Sequence, residues 1–251
     1  MAFTTFQSLA QVCTAPSFEH YTADEGLSSN SVWAVMQDEK GFIWLATSYG
    51  LNRFDGQQFK TWTHNPQDST SLGFNRLKRL YPGSNGDIWI SSIGQGLSRY
   101  RHRHNAFVNY HYSDTNSQTL YSDEVNNLFT DSKGQTWAST TQGLNLYLPE
   151  KDAFARVPVA DSSQIGAVYE IAEMPAGTLW LATRGGLYRA QQQEDKSYTL
   201  VCTKLLPPYT SAKAVLADTL THKLWVTTEK GDVFQFLPGS RQQMACLESV
   251  N

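Results

Sequence analysis

No stretch of this 251-residue sequence approaches the roughly 18–20 consecutive apolar residues of a membrane helix, so direct insertion into a bilayer is not expected. Cysteine is scarce. Cys13, Cys202 and Cys246 form no CxxC and no metal-ligand spacing. Their odd number excludes a full disulfide framework and leaves room for one bridge. Excess charge of one sign is lacking too: the net charge of −3 provides no basic field for nucleic acid or an anionic membrane. The short run Arg101-His102-Arg103-His104 reads as a solvated hairpin. The start, "MAFTTFQSLAQVCTAPSF", has neither a charged beginning nor a long apolar segment, so it does not read as a signal peptide. Helical apolar periodicity is missing throughout, which leaves strands.

What the sequence does have is repetition. "GFIWLATSYGLNRFDG" at 41–56 is echoed by "GDIWISSIGQGLSRY" from Gly86, "GQTWASTTQGLNLY" from Gly134 and "GTLWLATRGGLYR" from Gly177. The repeated tryptophans are Trp44, Trp89, Trp137, Trp180 and Trp225, spaced by 45, 48, 43 and 45 residues. Short β-rich segments at that period indicate the four-stranded blades of a β-propeller. The expected architecture is all-β, about five antiparallel blades belonging to a larger, seven-bladed ring. Residues 1–16 read as an N-terminal extension. Blades are expected over 23–65, 66–113, 114–160, 161–204 and 205–251, with an extra outer strand at 17–22.

Turn chemistry supports this division. Asp38-Glu39-Lys40-Gly41 and Asp131-Ser132-Lys133-Gly134 read as type I turns closed by a glycine at positive φ. The fifth unit has His222 where that glycine is expected, so its turn should be the least regular. A second glycine recurs between the next two strands: Gly50, Gly96, Gly143, Gly186 and Gly231. The last strand of each unit is marked by a pair three residues apart, Phe59…Trp62, Phe107…Tyr110, Phe154…Val157, Tyr198…Val201 and Met244…Leu247. A further copy, Phe18…Tyr21, precedes the first unit. This surplus implies an outer strand whose partners lie in a blade outside this chain. The rival reading is a closed five-bladed ring with Phe18 to Thr22 packed elsewhere, or displacing Met244 to Leu247.

From Glu25 to Trp62, "EGLSSNSVWAVMQDEKGFIWLATSYGLNRFDGQQFKTW" resembles the two-component regulator propeller repeat. The resemblance covers about residues 17–248, strongest in the first unit and weakest in the fifth. It implies the periplasmic sensor region of a large bacterial receptor. In such receptors propellers precede a β-sandwich, one membrane helix and a histidine kinase or GGDEF-type diguanylate cyclase. Neither a kinase motif nor a GGDEF string occurs in this sequence. The implied partner is a small-molecule ligand of carbohydrate type. Blades left incomplete would also meet further blades or a second copy of the chain.

The repeated tryptophans read as interblade core rather than sugar platforms; Trp33 and Trp62 occur in the first unit alone and are open to a ligand role. Asp38 and Asp131 have one residue too many for an Asp-box and read as turn formers. Propeller ligands sit near the axis, on the face made by the linkers between blades and the turns after each second strand. The candidate ligand-binding residues there are Asn30, Tyr49, Asn75, Arg76, Gln95, Asp123, Gln142, Tyr169, Arg184 and Lys230. No catalytic residue, metal site or cofactor is expected, since no GxSxG or phosphate loop occurs and the histidines have no ligand register. Two other readings stay open: a protein-interaction scaffold, and more remotely a propeller glycosidase or lyase.

Overall fold

The computed structural model describes residues 18–160 and 165–237, together with the strand at 245–247. Cys13 and Met244 lie outside these residues, as do residues 1–16. Of the cysteines, Cys202 is a free thiol.

Five four-stranded antiparallel sheets follow one another along the chain. The first comprises β1 (Val32–Gln37), β2 (Ile43–Thr47), β3 (Gly50–Phe54) and β4 (Phe59–Trp62). The second comprises β5 (Leu77–Pro82), β6 (Ile88–Ser92), β7 (Leu97–Arg101) and β8 (Ala106–Tyr110). The third comprises β9 (Val125–Thr130), β10 (Thr136–Thr140), β11 (Gly143–Leu148) and β12 (Ala153–Arg156). The fourth comprises β13 (Val168–Glu173), β14 (Leu179–Thr183), β15 (Gly186–Gln192) and β16 (Tyr198–Cys202). The fifth comprises β17 (Ala212–Asp218), β18 (Lys223–Thr228), β19 (Val233–Phe236) and β20 (Ala245–Leu247). Each sheet is a meander in sequence order, which is the blade of a β-propeller. β20 pairs with β19, so the chain's own C-terminal strand completes the fifth blade.

In the three inner blades the second strand is buried on both sides, and in the two end blades on one side. In β14, Leu179 and Leu181 pack against the third blade, while Trp180 and Ala182 pack against the fifth. The repeated tryptophans are the filling: Trp44, Trp89, Trp137 and Trp180 are buried. Burying a side chain of this size stabilises by about 1.5–3 kcal/mol. In the first and third blades the aspartate that opens the turn satisfies the indole N–H. Asp38 Oδ2 accepts from Trp44 Nε1 at 2.8 Å, and Asp131 Oδ2 from Trp137 Nε1 at 2.9 Å. The other oxygen of each Asp closes its own turn, accepting two backbone N–H groups. In the fourth blade, which has no such Asp, Trp180 Nε1 donates to Met174 O at 2.6 Å instead. At the irregular fifth turn, His222 takes the left-handed φ of +54° that a glycine would adopt without strain.

The two end faces of the row are wet. Val35 of β1 is 62% exposed, whereas Val215 at the matching place in β17 is 3% exposed. On the far side, Leu216 is 65% exposed, while Ala172 at the matching place in the fourth blade is buried. Residues 18–22 form no strand, having no third strand of another blade beside them to pair with. Tyr21 nevertheless holds the place of an outer-strand aromatic. Its ring lies 4.8 Å from Phe54 and 5.8 Å from Phe59. Trp62 meets Tyr100 of the next blade in the same way at 5.2 Å, and Tyr110 meets Phe154 at 5.3 Å. Tyr21 therefore packs on the first blade as the last strand of a preceding blade would.

Candidate functional site

One end of the row is a rim of turns and linkers held by a repeated backbone bond. The first residue of each turn after the second strand donates its N–H to the carbonyl of the residue just before the inner strand of its blade. The five bonds are Ser48 to Ser31, Ile93 to Arg76, Thr141 to Glu124, Arg184 to Ala167 and Glu229 to Ser211, at 2.9–3.1 Å. Two of the turn glycines reach on to the next blade: Gly50 N donates to Asn75 O and Gly96 N to Asp123 O, each at 2.8 Å. Gly96 has φ +73°, and a Cβ there would sit 2.2 Å from Tyr110 O, so only glycine fits.

All ten candidate residues belong to this rim or to the first residues of the inner strands beside it. Tyr49, Gln95, Gln142, Arg184 and Lys230 are exposed turn residues, one per blade. Asn75 and Asp123 are half-buried and already engaged. Asn75 Oδ1 accepts from His64 N at 2.7 Å, and Asp123 Oδ1 accepts from Tyr112 N at 2.6 Å. Arg76 is exposed. Asn30 is tied to the leading segment, its Oδ1 accepting from Ala23 N at 2.7 Å. Tyr169 lies on β13, its ring capped by Lys213 Nζ at 4.3 Å. The five turn side chains share a rim and make no side-chain contact with one another among the described interactions. What unites them is backbone placement, which leaves their chemistry free.

The opposite end carries a feature that the sequence reading does not single out. A cleft of about 950 Å³ opens between the second and third blades, lined by Trp89, Arg99, Arg101, Tyr147 and Asp152 among others. Asp152 sits in the turn between β11 and β12 with φ +49°. Its carboxylate accepts from Tyr147 Oη at 2.7 Å and Tyr110 Oη at 2.5 Å, and it pairs with Arg101 and Arg99. Arg99 is also held by Asp87 Oδ2 at 2.7 Å and lies over the rings of Trp89 and Tyr147. Partial burial opposes the charge of Asp152. The two phenol hydrogen bonds and the two guanidinium charges outweigh it and hold the carboxyl below the usual range. Burial, then the bond to Asp152, pushes the Tyr147 phenol up to about 12 and Tyr110 higher still. The network locks two blades together with its cations matched by its anions. Its members come from the outer strands of two blades and from one turn in each, so only blade packing brings them together.

Comparisons with known proteins bear on the whole chain. Residues 26–49 match the family described as two component regulator propeller. Histidine kinase P4 of Formosa agariphila is 47% identical over 55 residues, which is 22% of this chain and 4% of that protein. The solved extracellular domain of a protein assigned as a hybrid two component system from B. thetaiotaomicron superposes with a TM-score of 0.66 at 26% identity. That match covers 89% of this chain and 31% of the other. The extracellular domain of a protein from B. thetaiotaomicron assigned as a one component system superposes at 0.63 with 20% identity, over 94% of this chain and 33% of its own, which shows the fold alone. The chain thus spans about a third of these solved domains. Among the described residues no helix is long and apolar enough to cross a membrane.

Proposed function

This chain is a β-propeller carrying the two-component regulator repeat in its first blade, and from that premise we propose that it is part of the ligand-sensing region of a bacterial signal-transduction receptor. It is similar to extracellular domains of such systems, and the compartment we assign is the periplasm. The output we assign to the parent protein is a histidine kinase rather than a diguanylate cyclase, because one similar protein is named a histidine kinase and another is assigned as a hybrid two component system.

The observation that carries the sensing role is the rim. Five turns share one backbone bond, yet present Tyr49, Gln95, Gln142, Arg184 and Lys230, five positions filled by four residue types. A scaffold that fixes the backbone and varies the side chain is how propellers present a binding surface. The ligand is a small molecule of carbohydrate type, bound without turnover. Thermal shift of the full chain against neutral and charged oligosaccharides and short peptides tests this. A raised melting temperature with unchanged ligand supports it. A melt indifferent to every compound refutes it, and product formation would replace it with the hydrolase or lyase reading.

A further inference from the structure

Three of the four tryptophans buried between blades have their indole N–H met by a group six residues upstream. In the first and third blades it is the carboxylate of Asp38 or Asp131, and in the fourth it is Met174 O. In the second blade the residue six positions before Trp89 is Gly83, which has no side chain to offer. Its carbonyl does not take the role that Met174 O takes: Trp89 Nε1 donates to no group among the described residues. A Cβ at Gly83 would stand 3.2 Å from Trp89 Cδ1, the ring carbon bonded to Nε1. The space beside this N–H is therefore the space that a carboxylate fills in the blades on either side. Trp89 is 3% exposed, and its ring is held by Tyr110, Tyr147 and Phe154 at 5.0–5.7 Å between centroids. The N–H is not sealed into the core, because Trp89 and Gly83 both line the cleft between the second and third blades. A donor fixed in this way gives up little freedom when an acceptor arrives.

The rest of the cleft says which acceptor fits. Its volume of about 950 Å³ suits a small molecule. The two acids on its wall are already engaged. Asp87 Oδ2 is held by Arg99 and its Oδ1 by the backbone N–H of His102, while Asp152 is held by Arg99, Arg101 and two phenols. These two cations and two anions cancel. Two further cations line the same cleft, Lys133 and Arg103. Lys133 lies within the field of Glu173. Arg103 is exposed and forms no ion pair among the described residues, so the wall carries positive charge in excess. Water can satisfy a single N–H, but it leaves that excess unmet. Pro82, Leu146, Leu148 and Pro149 supply an apolar side to the same cleft.

We propose that this cleft is a binding site for a small carboxylic acid with an apolar stem, whose carboxylate takes beside Trp89 the place that Asp38 and Asp131 take beside Trp44 and Trp137. One carboxylate oxygen accepts from Trp89 Nε1, a charge-assisted hydrogen bond. Arg103 adds attraction from the rim of the cleft, and the stem lies against Leu146 and Leu148. The site is at the opposite end of the blades from the turn rim and is independent of whatever the rim binds.

The experiment titrates the full chain with 3-phenylpropionate, its neutral amide and acetate, following the seven indole N–H signals by nitrogen-15 NMR. The phenylpropionate is expected to shift the assigned Trp89 indole signal downfield and to bind about tenfold more tightly than either the amide or acetate. Arg103→Gln, a change at an exposed side chain, should weaken binding about two- to fivefold. Gly83→Asp gives the second blade the carboxylate of its neighbours. The backbone there is extended, with φ −108° and ψ 176°, so an aspartate is admissible once the turn yields a little to the 3.0 Å approach of its Cβ to Asp87 O. That variant should move the Trp89 signal by itself and bind the acid at least about tenfold more weakly. Phenylpropionate that leaves the Trp89 signal in place up to about 10 mM overturns the proposal, and this test is made in the parent chain, whatever a variant does to folding. An amide that binds as tightly as the acid overturns the carboxylate, and acetate that does so overturns the apolar stem. A folded Gly83→Asp chain that binds the acid as the parent does overturns the placement beside Trp89.

Discussion

Truncating the same residue type at two matching positions should cost very different amounts. Val35 and Val215 occupy equivalent places on the inner strands of the first and last blades, 62% and 3% exposed. Val215→Ala removes two buried methyl groups, worth about 1.6 kcal/mol by transfer, and the cavity left against Ala172, Trp180 and Ala182 raises the cost to about 2–2.5 kcal/mol. Val35→Ala removes groups already in water and should cost about 0.5 kcal/mol or less. Any loss of strand propensity is shared by the two sites and cancels in the comparison. For a slope of roughly 2.5 kcal/mol/M in urea, the Val215 variant should unfold about 0.8 M earlier than the Val35 variant. Tryptophan fluorescence during urea titration measures this. Equal midpoints would mean that the first blade's outer face is covered, and the wet end face would then be discarded. If further blades are appended ahead of β1, the Val35 cost should rise to match.

The turn glycine at 96 permits a sharper test: Gly96→Ala forces a Cβ to 2.2 Å from Tyr110 O at φ +73°, and calorimetry should show at least about 2 kcal/mol lost. His222→Gly acts in the opposite direction, relieving a left-handed φ of +54° and raising stability by about 0.5–1 kcal/mol in the same measurement. The Asp152 network sets a pH dependence. The phenols of Tyr147 and Tyr110 are raised from 10.0, so their share of stability is full below about pH 10 and is lost as pH rises through about 12. Thermal melts from pH 9 to 12 should fall in that window, and the fall should shrink in Tyr147→Phe.

The blades were legible because the second strands of the inner blades are buried on both sides, and the run of β14, Leu-Trp-Leu-Ala-Thr, has no other use. The turn role of Asp38 and Asp131 was legible for a similar reason, since one side chain closes the turn and meets the indole. Each inner strand carries a bulge near its start, at Trp33 in the first blade, and these bulges left a signal that the strand pattern alone does not announce. Same-facing apolar residues are three apart, at Val32 and Val35, Val125 and Leu128, Val168 and Ile171, where a regular strand would put them two or four apart. The Asp152 network left none. Arg99 and Asp152 are 53 positions apart and meet only because one blade's outer half leans on the next. The segment at 18–22 shows the limit of pattern reading: the aromatic spacing places Tyr21 correctly, but strand formation needs a partner backbone that pattern cannot supply.

The exposed faces at the two ends are different surfaces, one of the first blade and one of the last. Val35 stands exposed on the end face of the first blade and Leu216 on that of the last. Two copies meeting through them make a head-to-tail contact, never a symmetric one. Such a contact repeats until rotation brings it round to itself, so at high concentration this chain by itself should grow into closed rings or spiral filaments rather than stop at a pair.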